Sequence, residues 1–204
     1  LAQYRVTSKF AKPPIFTEGA AKSHFGWHLQ AGANAFDIFR PEIFKAMIVR
    51  FPQEEAPIMR QDMTRLDFGW WGIFAPEQAM LDKTAKPAAK QRGVGTQPDM
   101  WEFGTSRAAA WDCPVTVHMS RNQTRIPRFD DLLEVMRRWE DVRAKNWLTP
   151  AQKKALKSPT QEHHLYLNGK GEYELHEVEM LPPPPAAPQL RGFVFERNGK
   201  RCVA

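Results

Sequence analysis

Carboxylate, imidazole and indole side chains gather in one short stretch, PPIFTEGAAKSHFGWH, residues 13–28. An apolar run bounded by proline and glycine leads into Glu18 and predicts a buried strand that ends there. Residues at the carboxyl ends of parallel strands form the ligand sites of α/β folds. Glu18 is therefore a candidate general acid, general base or nucleophile. The alternative is a structural role, in which Glu18 caps a helix or pairs with a lysine.

Polar and aromatic residues that could hold a substrate follow Glu18. His24 and His28 are four residues apart, but no nearby carboxylate or third histidine completes a metal site, so we predict hydrogen bonding rather than metal binding. Trp27 lies between them and can stack on a flat ligand. Asn34 and Asp37 belong to GANAFD, a glycine-rich segment that we interpret as a loop able to hold sugar hydroxyls. No cofactor is implied.

Two further segments supply candidates. RLDFGWWGIF (residues 65–74) reads as a strand, in which Trp70 and Trp71 face opposite sides. Packing is the predicted role of at least one of them, and stacking on a sugar ring is the alternative. Asp99 and Glu102 lie in the first turn of a predicted helix that follows this strand, which would place them on the catalytic face of a barrel.

The elements that must position these residues alternate along the chain. Strands are predicted at about 14–18, 66–74 and 113–118, and helices at 41–51, 97–110 and 128–147. The strands are continuously apolar, which is typical of parallel strands covered by helices. From about residue 163, two Asn-Gly turns predict an antiparallel sheet, which we expect to pack separately from the helices.

Composition limits the function classes. The chain has 204 residues, 42% of them hydrophobic, and a net charge of +6. Its basic residues are scattered, which makes nucleic acid an unfavoured partner, although a non-catalytic basic module for a polyanionic glycan or nucleic acid remains the alternative. The two cysteines, Cys113 and Cys202, form neither a metal pair nor a disulfide framework. No apolar run reaches the roughly 18 residues of a membrane span, so no membrane partner is expected.

Three segments together resemble a (β/α)8-barrel glycoside hydrolase of a polysaccharide-degrading bacterium. They are FTEGA…HFGWH, GTQPDMWEFGTSRAAAWDCPVTV and RFDDLLEVMRRWEDVRAKNWLTPAQKKAL, and the resemblance covers about residues 10–165. It implies an α/β fold in which residues 1–160 are the C-terminal portion of a (β/α)8 (TIM) barrel and residues 161–204 begin a small antiparallel β-domain. It also implies a polysaccharide or oligosaccharide substrate, paired catalytic carboxylates and an extracellular or periplasmic location.

Length adds a constraint to this resemblance. A complete barrel takes about 250 residues, whereas about three strand–helix units fit into the α/β part of this chain. We therefore expect a fragment whose N-terminal barrel half belongs to the same protein, in agreement with a start at Leu1 and a stop within a strand-like segment. A complete small α/β domain is the alternative. The sequence before Leu1 would decide between them.

Overall fold

The computed structural model describes residues 9, 18–19, 32–34, 43–50, 65–73, 95–118, 126, 128–187 and 190–204. These residues form a mixed α/β structure with small parallel sheets and a four-stranded antiparallel sheet. The helices are α1 (Phe44–Arg50), α2 (Pro98–Ala110), α3 (Phe129–Ala144) and α4 (Pro150–Leu156). The strands are β1 (Glu18–Gly19), β2 (Gly32–Asn34), β3 (Arg65–Asp67), β4 (Trp70–Gly72), β5 (Thr116–His118), β6 (Glu162–Leu167), β7 (Tyr173–Leu181), β8 (Gly192–Arg197) and β9 (Lys200–Val203).

The strands of the first half pair in parallel, as their apolar character predicts. The order β1-β2-β3 forms one sheet, and β4 pairs with β5. Two details differ from the sequence prediction. Gly32–Asn34 is a strand between β1 and β3 rather than a loop, and the strand predicted at 66–74 is divided. The division falls at Gly69, whose φ of 137° is open mainly to glycine, so the two halves pair with different neighbours.

An aromatic core joins α1, α2 and β4. Trp71 is fully buried, and its ring lies edge-on to the rings of Phe44, Phe68 and Trp101 at centroid distances of 5.1, 6.5 and 5.5 Å. Gly104 of α2 provides the space that the indole occupies, because a Cβ there would lie 2.6 Å from it. Trp71 is therefore a core residue, and its ring is not available as a stacking platform.

The second half is the antiparallel sheet β6-β7-β8-β9, in chain order, as the turn signals predict. Asn198 and Gly199 both have positive φ, at 53° and 71°, which is the conformation that an Asn-Gly hairpin turn requires. No helix occurs between residues 163 and 180, all of which the structure describes. Among the described residues, none of the helices has the length and apolar character that a membrane crossing demands.

The expectation that this sheet packs separately from the helices is wrong. Leu165, Tyr173 and Leu175 of the sheet share one apolar cluster with Trp139 of α3 and with other helical and loop residues. Those others are Ala109, Ala110, Val135, Val142, Leu148 and Leu156. Alternation along β6 and β7 explains the packing, because the three sheet residues lie on one face. That face is apolar enough to need cover, and the helices supply it.

Candidate active site at the helix–sheet junction

Helix α2 carries two acidic side chains into the junction between the helices and the sheet. Pro98 occupies the first turn, where a missing N–H costs no hydrogen bond, and Asp99 lies in the same turn, where the helix dipole favours negative charge. The side chain of Asp99 is 4% exposed. Glu102 lies three residues further, on the same side of the helix, and its side chain is 12% exposed. Buried carboxylates need partners, and both find them on other elements.

The ammonium group of Lys45, on α1, lies between carboxylates of two different elements. Its Nζ is 3.0 Å from Asp99 Oδ2, in ion-pair contact, and donates hydrogen bonds of 2.6 and 2.9 Å to the two carboxylate oxygens of Glu162 on β6. Within the described part of the chain, neither Asp99 oxygen accepts a hydrogen bond. The ion-pair contact with Lys45 therefore compensates part of the cost of burying Asp99.

Glu102 joins three elements through one carboxylate oxygen. Its Oε1 accepts hydrogen bonds from the amide of Leu165 at 2.6 Å and from the indole Nε1 of Trp139 at 3.1 Å. β6 is an edge strand, so no neighbouring strand offers an acceptor to the Leu165 N–H on its outer side. The Glu102 carboxylate accepts that hydrogen bond instead. Burial raises the pKa of Glu102 to about 7, and the charge of Asp99 adds to the rise, while the two hydrogen bonds and Arg138 oppose it. Glu102 therefore keeps its proton to a higher pH than an ordinary carboxyl group does.

His164, on β6, faces the other oxygen of Glu102. Its Nε2 is 3.8 Å from Glu102 Oε2, its side chain is 11% exposed, and Nε2 has no hydrogen-bond partner among the described residues. Its Nδ1 lies 3.4 Å from the hydroxyl of Tyr166. The ring of Phe193 lies against the imidazole with a centroid distance of 4.3 Å. Burial lowers the pKa of His164 to about 4, so the imidazole is neutral at physiological pH.

Arg107 is fully buried and holds the segment that leads into β6. Its Nη2 donates to the carbonyl oxygens of Ser158 at 2.5 Å and Gln161 at 2.8 Å, and its Nη1 donates to the carbonyl oxygen of Phe103 at 3.0 Å. The guanidinium carbon lies 3.3 Å from the centroid of the Phe103 ring. Burial lowers the pKa of Arg107 to about 10, and the negative charge of Glu162 opposes that change. The residue positions Glu162 and His164 through the backbone that precedes them.

We call Lys45, Asp99, Glu102, Glu162 and His164 the junction cluster. It contains two of the sequence-predicted site residues, Asp99 and Glu102, which the structure places together. Lys45, Glu162 and His164 were missed by sequence reasoning. One signal was present, since EHHLYL is a strand in which Glu162 and His164 must share a face. The position of Lys45 follows only from how α1 packs on α2.

Apart from the buried Trp71, the remaining predicted site residues are described at the backbone only or lie outside the described residues. Glu18, Asn34 and Trp70 lie in β1, β2 and β4, and the structure describes their backbone positions only. Asn34 is the last residue of its strand, paired with Asp67 of β3. His24, Trp27, His28 and Asp37 lie outside the described residues.

Among the described residues, no group of three or more histidine, cysteine, aspartate and glutamate side chains is arranged to hold a metal ion. Comparisons with known proteins add no family: no protein-family model, curated protein or solved structure matches the chain. The chemistry of the junction cluster is therefore the guide to the function of this chain.

Proposed function

We propose that this chain is part of a carbohydrate-active hydrolase of the glycosidase type, which cleaves a polysaccharide or oligosaccharide with paired carboxylates. In this proposal residues 1–160 are the C-terminal portion of a (β/α)8 barrel. The parallel pairings of β1, β2 and β3 and of β4 and β5 support that architecture. The observation that carries the function is the pair Asp99 and Glu102, two carboxyl groups on consecutive turns of α2 with different electrostatic surroundings.

The difference between the two surroundings suits acid–base chemistry. Glu102 retains a proton near neutral pH because it is buried, and it can donate that proton to a glycosidic oxygen as a general acid. A glycosidase needs a second, ionised carboxylate as base or nucleophile. Asp99, which lies in ion-pair contact with the ammonium of Lys45, is the candidate for that role within the cluster. Glu18, the first residue of the two-residue strand β1, and Asp37 are the other candidates for this second role.

The activity of the whole protein that contains this chain tests the proposal. We expect the wild type to release reducing ends from at least one polysaccharide. Glu102→Gln keeps both hydrogen bonds of Oε1 but has no proton to give, so kcat should fall by about 10²–10⁴-fold with little change in KM. Glu18→Gln and Asp99→Asn should identify the second carboxylate by a loss of similar size.

Glu172→Gln is the matched control, because Glu172 lies exposed in the turn between β6 and β7. It should leave kcat and KM unchanged. Wild-type kcat in Glu102→Gln would reject the general-acid role. A wild-type protein that cleaves none of the glycans offered across neutral, acidic and aminated classes would reject the hydrolase.

The alternative, a non-catalytic basic module for a polyanion, has less support among the described residues. Such a module needs uncompensated positive charge on one face. On α3, the guanidinium groups of Arg137 and Arg138 both contact Glu134, Arg143 contacts Glu140, and Lys145 contacts Asp141. Positive charge on this helix is therefore largely neutralised by its own neighbours.

A further inference from the structure

We propose that His164 is the positioning residue of Glu102: its Nε2 accepts a hydrogen bond from the protonated carboxyl at Oε2, and the Tyr166 hydroxyl fixes the imidazole from the other side. The hydrogen bond does not depend on the reaction of the protein. Its role in catalysis rests on the proposed hydrolase, in which it would hold the protonated oxygen of the acid in one position between turnovers.

The positions of the polar atoms suggest this arrangement. Oε1 of Glu102 is already occupied by the amide of Leu165 and the indole of Trp139, so a proton on this carboxyl belongs on Oε2. His164 Nε2 is a described acceptor without a hydrogen-bond partner, and it lies 3.8 Å from Oε2. A movement of about 1 Å closes that gap to a normal hydrogen bond.

The same geometry assigns the imidazole tautomer. If Nε2 accepts from the carboxyl, the ring proton must be on Nδ1, which can then donate to the Tyr166 hydroxyl oxygen at 3.4 Å. The Tyr166 ring is held by stacking on Phe195, with a centroid distance of 4.8 Å and an interplanar angle of 22°. When Glu102 ionises, its Oε2 becomes an acceptor only, and the favoured tautomer changes to Nε2–H. Charge on one residue is thus coupled to the proton position on the other.

Other charged and titratable groups face this pair from every neighbouring element. Asp99 raises the pKa of Glu102, and Arg138 lowers it. Burial lowers the pKa of His164, the charge of Asp99 opposes that, and the charges of Lys45 and His163 add to the decrease. None of these groups donates a hydrogen bond to Nε2, so the proton on Oε2 remains the available donor within the described residues.

The test measures protons on these two residues by NMR, in the protein that contains this chain. At pH 6 we expect long-range ¹H–¹⁵N spectra to show His164 as the Nδ1–H tautomer, and at pH 8 a shift towards Nε2–H. His164→Phe removes an imidazole that accepts from the protonated carboxyl but donates more strongly to the ionised one, so the pKa of Glu102 followed by ¹³C should rise by about half to one unit. His164→Gln offers both an acceptor and a donor in a similar place and should restore most of the wild-type pKa.

Tyr166→Phe is the second variant, because it removes only the hydroxyl and keeps the stacked ring. It should weaken the preference for Nδ1–H at pH 6 without unfolding the protein. An Nε2–H tautomer at pH 6 in the wild type, or an unchanged Glu102 pKa in His164→Phe, would overturn the proposal. If the tautomer and pKa behave as expected but Glu102→Gln retains wild-type kcat, the hydrogen bond stands and the hydrolase fails.

Discussion

At the scale of single residues, Glu102 and His164 are buried as a neutral pair. Their pKa values move in opposite directions from the ordinary ones, to about 7 for the carboxyl and about 4 for the imidazole. In the unfolded chain near pH 5.5 the carboxyl is ionised and the imidazole is protonated. Folding therefore moves a proton from the histidine to the glutamate without changing the number of protons bound. An interior of low polarity favours this neutral pair over two buried charges.

This exchange predicts how stability depends on pH. The contribution of Glu102 is present below pH 4.5 and lost as pH rises through 7, because its folded pKa is raised. The contribution of His164 is present above pH 6.5 and lost as pH falls through 4, because its folded pKa is lowered. Between pH 4.5 and 6.5 the stability contribution of Glu102 falls with pH while that of His164 rises by the same amount per pH unit. We therefore expect the pair to add no net pH dependence to the free energy of unfolding in this range.

Glu102→Gln removes the pH dependence that Glu102 contributes to the free energy of unfolding, so that the contribution of His164 is no longer cancelled. Relative to wild type, we expect the free energy of unfolding of this variant to increase between pH 4.5 and 7 by up to about 3 kcal/mol. Urea titrations at several pH values measure it, with Glu172→Gln as the control of equal charge change. Parallel curves for wild type and Glu102→Gln would show that Glu102 titrates normally in the folded protein.

At the scale of elements, the sequence predicts what depends on local pattern. The stripe of Leu132, Trp139 and Val142 predicts α3, and all three side chains are buried in the structure. The Asn-Gly turns predict the antiparallel sheet. The strand Gly32–Asn34 was missed because glycine and asparagine have low strand propensity, and here pairing with two neighbours overrides it.

The residues of the candidate site also fall into two groups, those that a local sequence pattern predicts and those that only tertiary packing brings to the site. Asp99 and Glu102 could be found from sequence because their place in a helix is a local property. Lys45 and His164 could not, because their contacts with α2 span more than 50 residues of sequence and depend on how the helix packs against α1 and β6. Burial of Trp71 is also a tertiary fact, since a strand pattern shows that one of two adjacent tryptophans faces inward but not what it packs against.

The position of α2 depends on one glycine, and this gives a prediction for the element. A Cβ at Gly104 would lie 2.6 Å from Cη2 of Trp71 and 3.1 Å from Cε1 of Phe44, both in buried rings. Gly104→Ala should therefore destabilise the fold by about 1–3 kcal/mol through overpacking, despite the better helix propensity of alanine. Thermal or urea unfolding measures the loss. Gly169→Ala, where no atom lies within 4 Å of the added Cβ, should change stability by no more than about 0.5 kcal/mol.

At the scale of the whole molecule, the junction makes the helices and the antiparallel sheet depend on one another. Leu165 of β6 packs in the same cluster as Trp139 of α3, and the carboxylate of Glu102 accepts a hydrogen bond from the Leu165 amide. Arg107 of α2 binds the backbone just before β6. Apolar packing and polar contacts therefore cross the same boundary. Apolar residues on both sides of residue 160, where strand signals replace helix signals, therefore pack in one cluster.

We therefore expect the two halves to lose protection together when the shared core is damaged. Leu165→Ala leaves a cavity beneath the sheet and should cost about 2–5 kcal/mol, because the side chain is almost fully buried. Amide hydrogens in α2, α3, β6 and β7 should all exchange faster than in the wild type, by similar factors. Leu167→Ala is the matched control, since Leu167 is on the same strand and face but 41% exposed, and its cost should stay below about 1 kcal/mol. Faster exchange confined to β6–β9 in Leu165→Ala would mean that the sheet opens on its own, as an independent domain would.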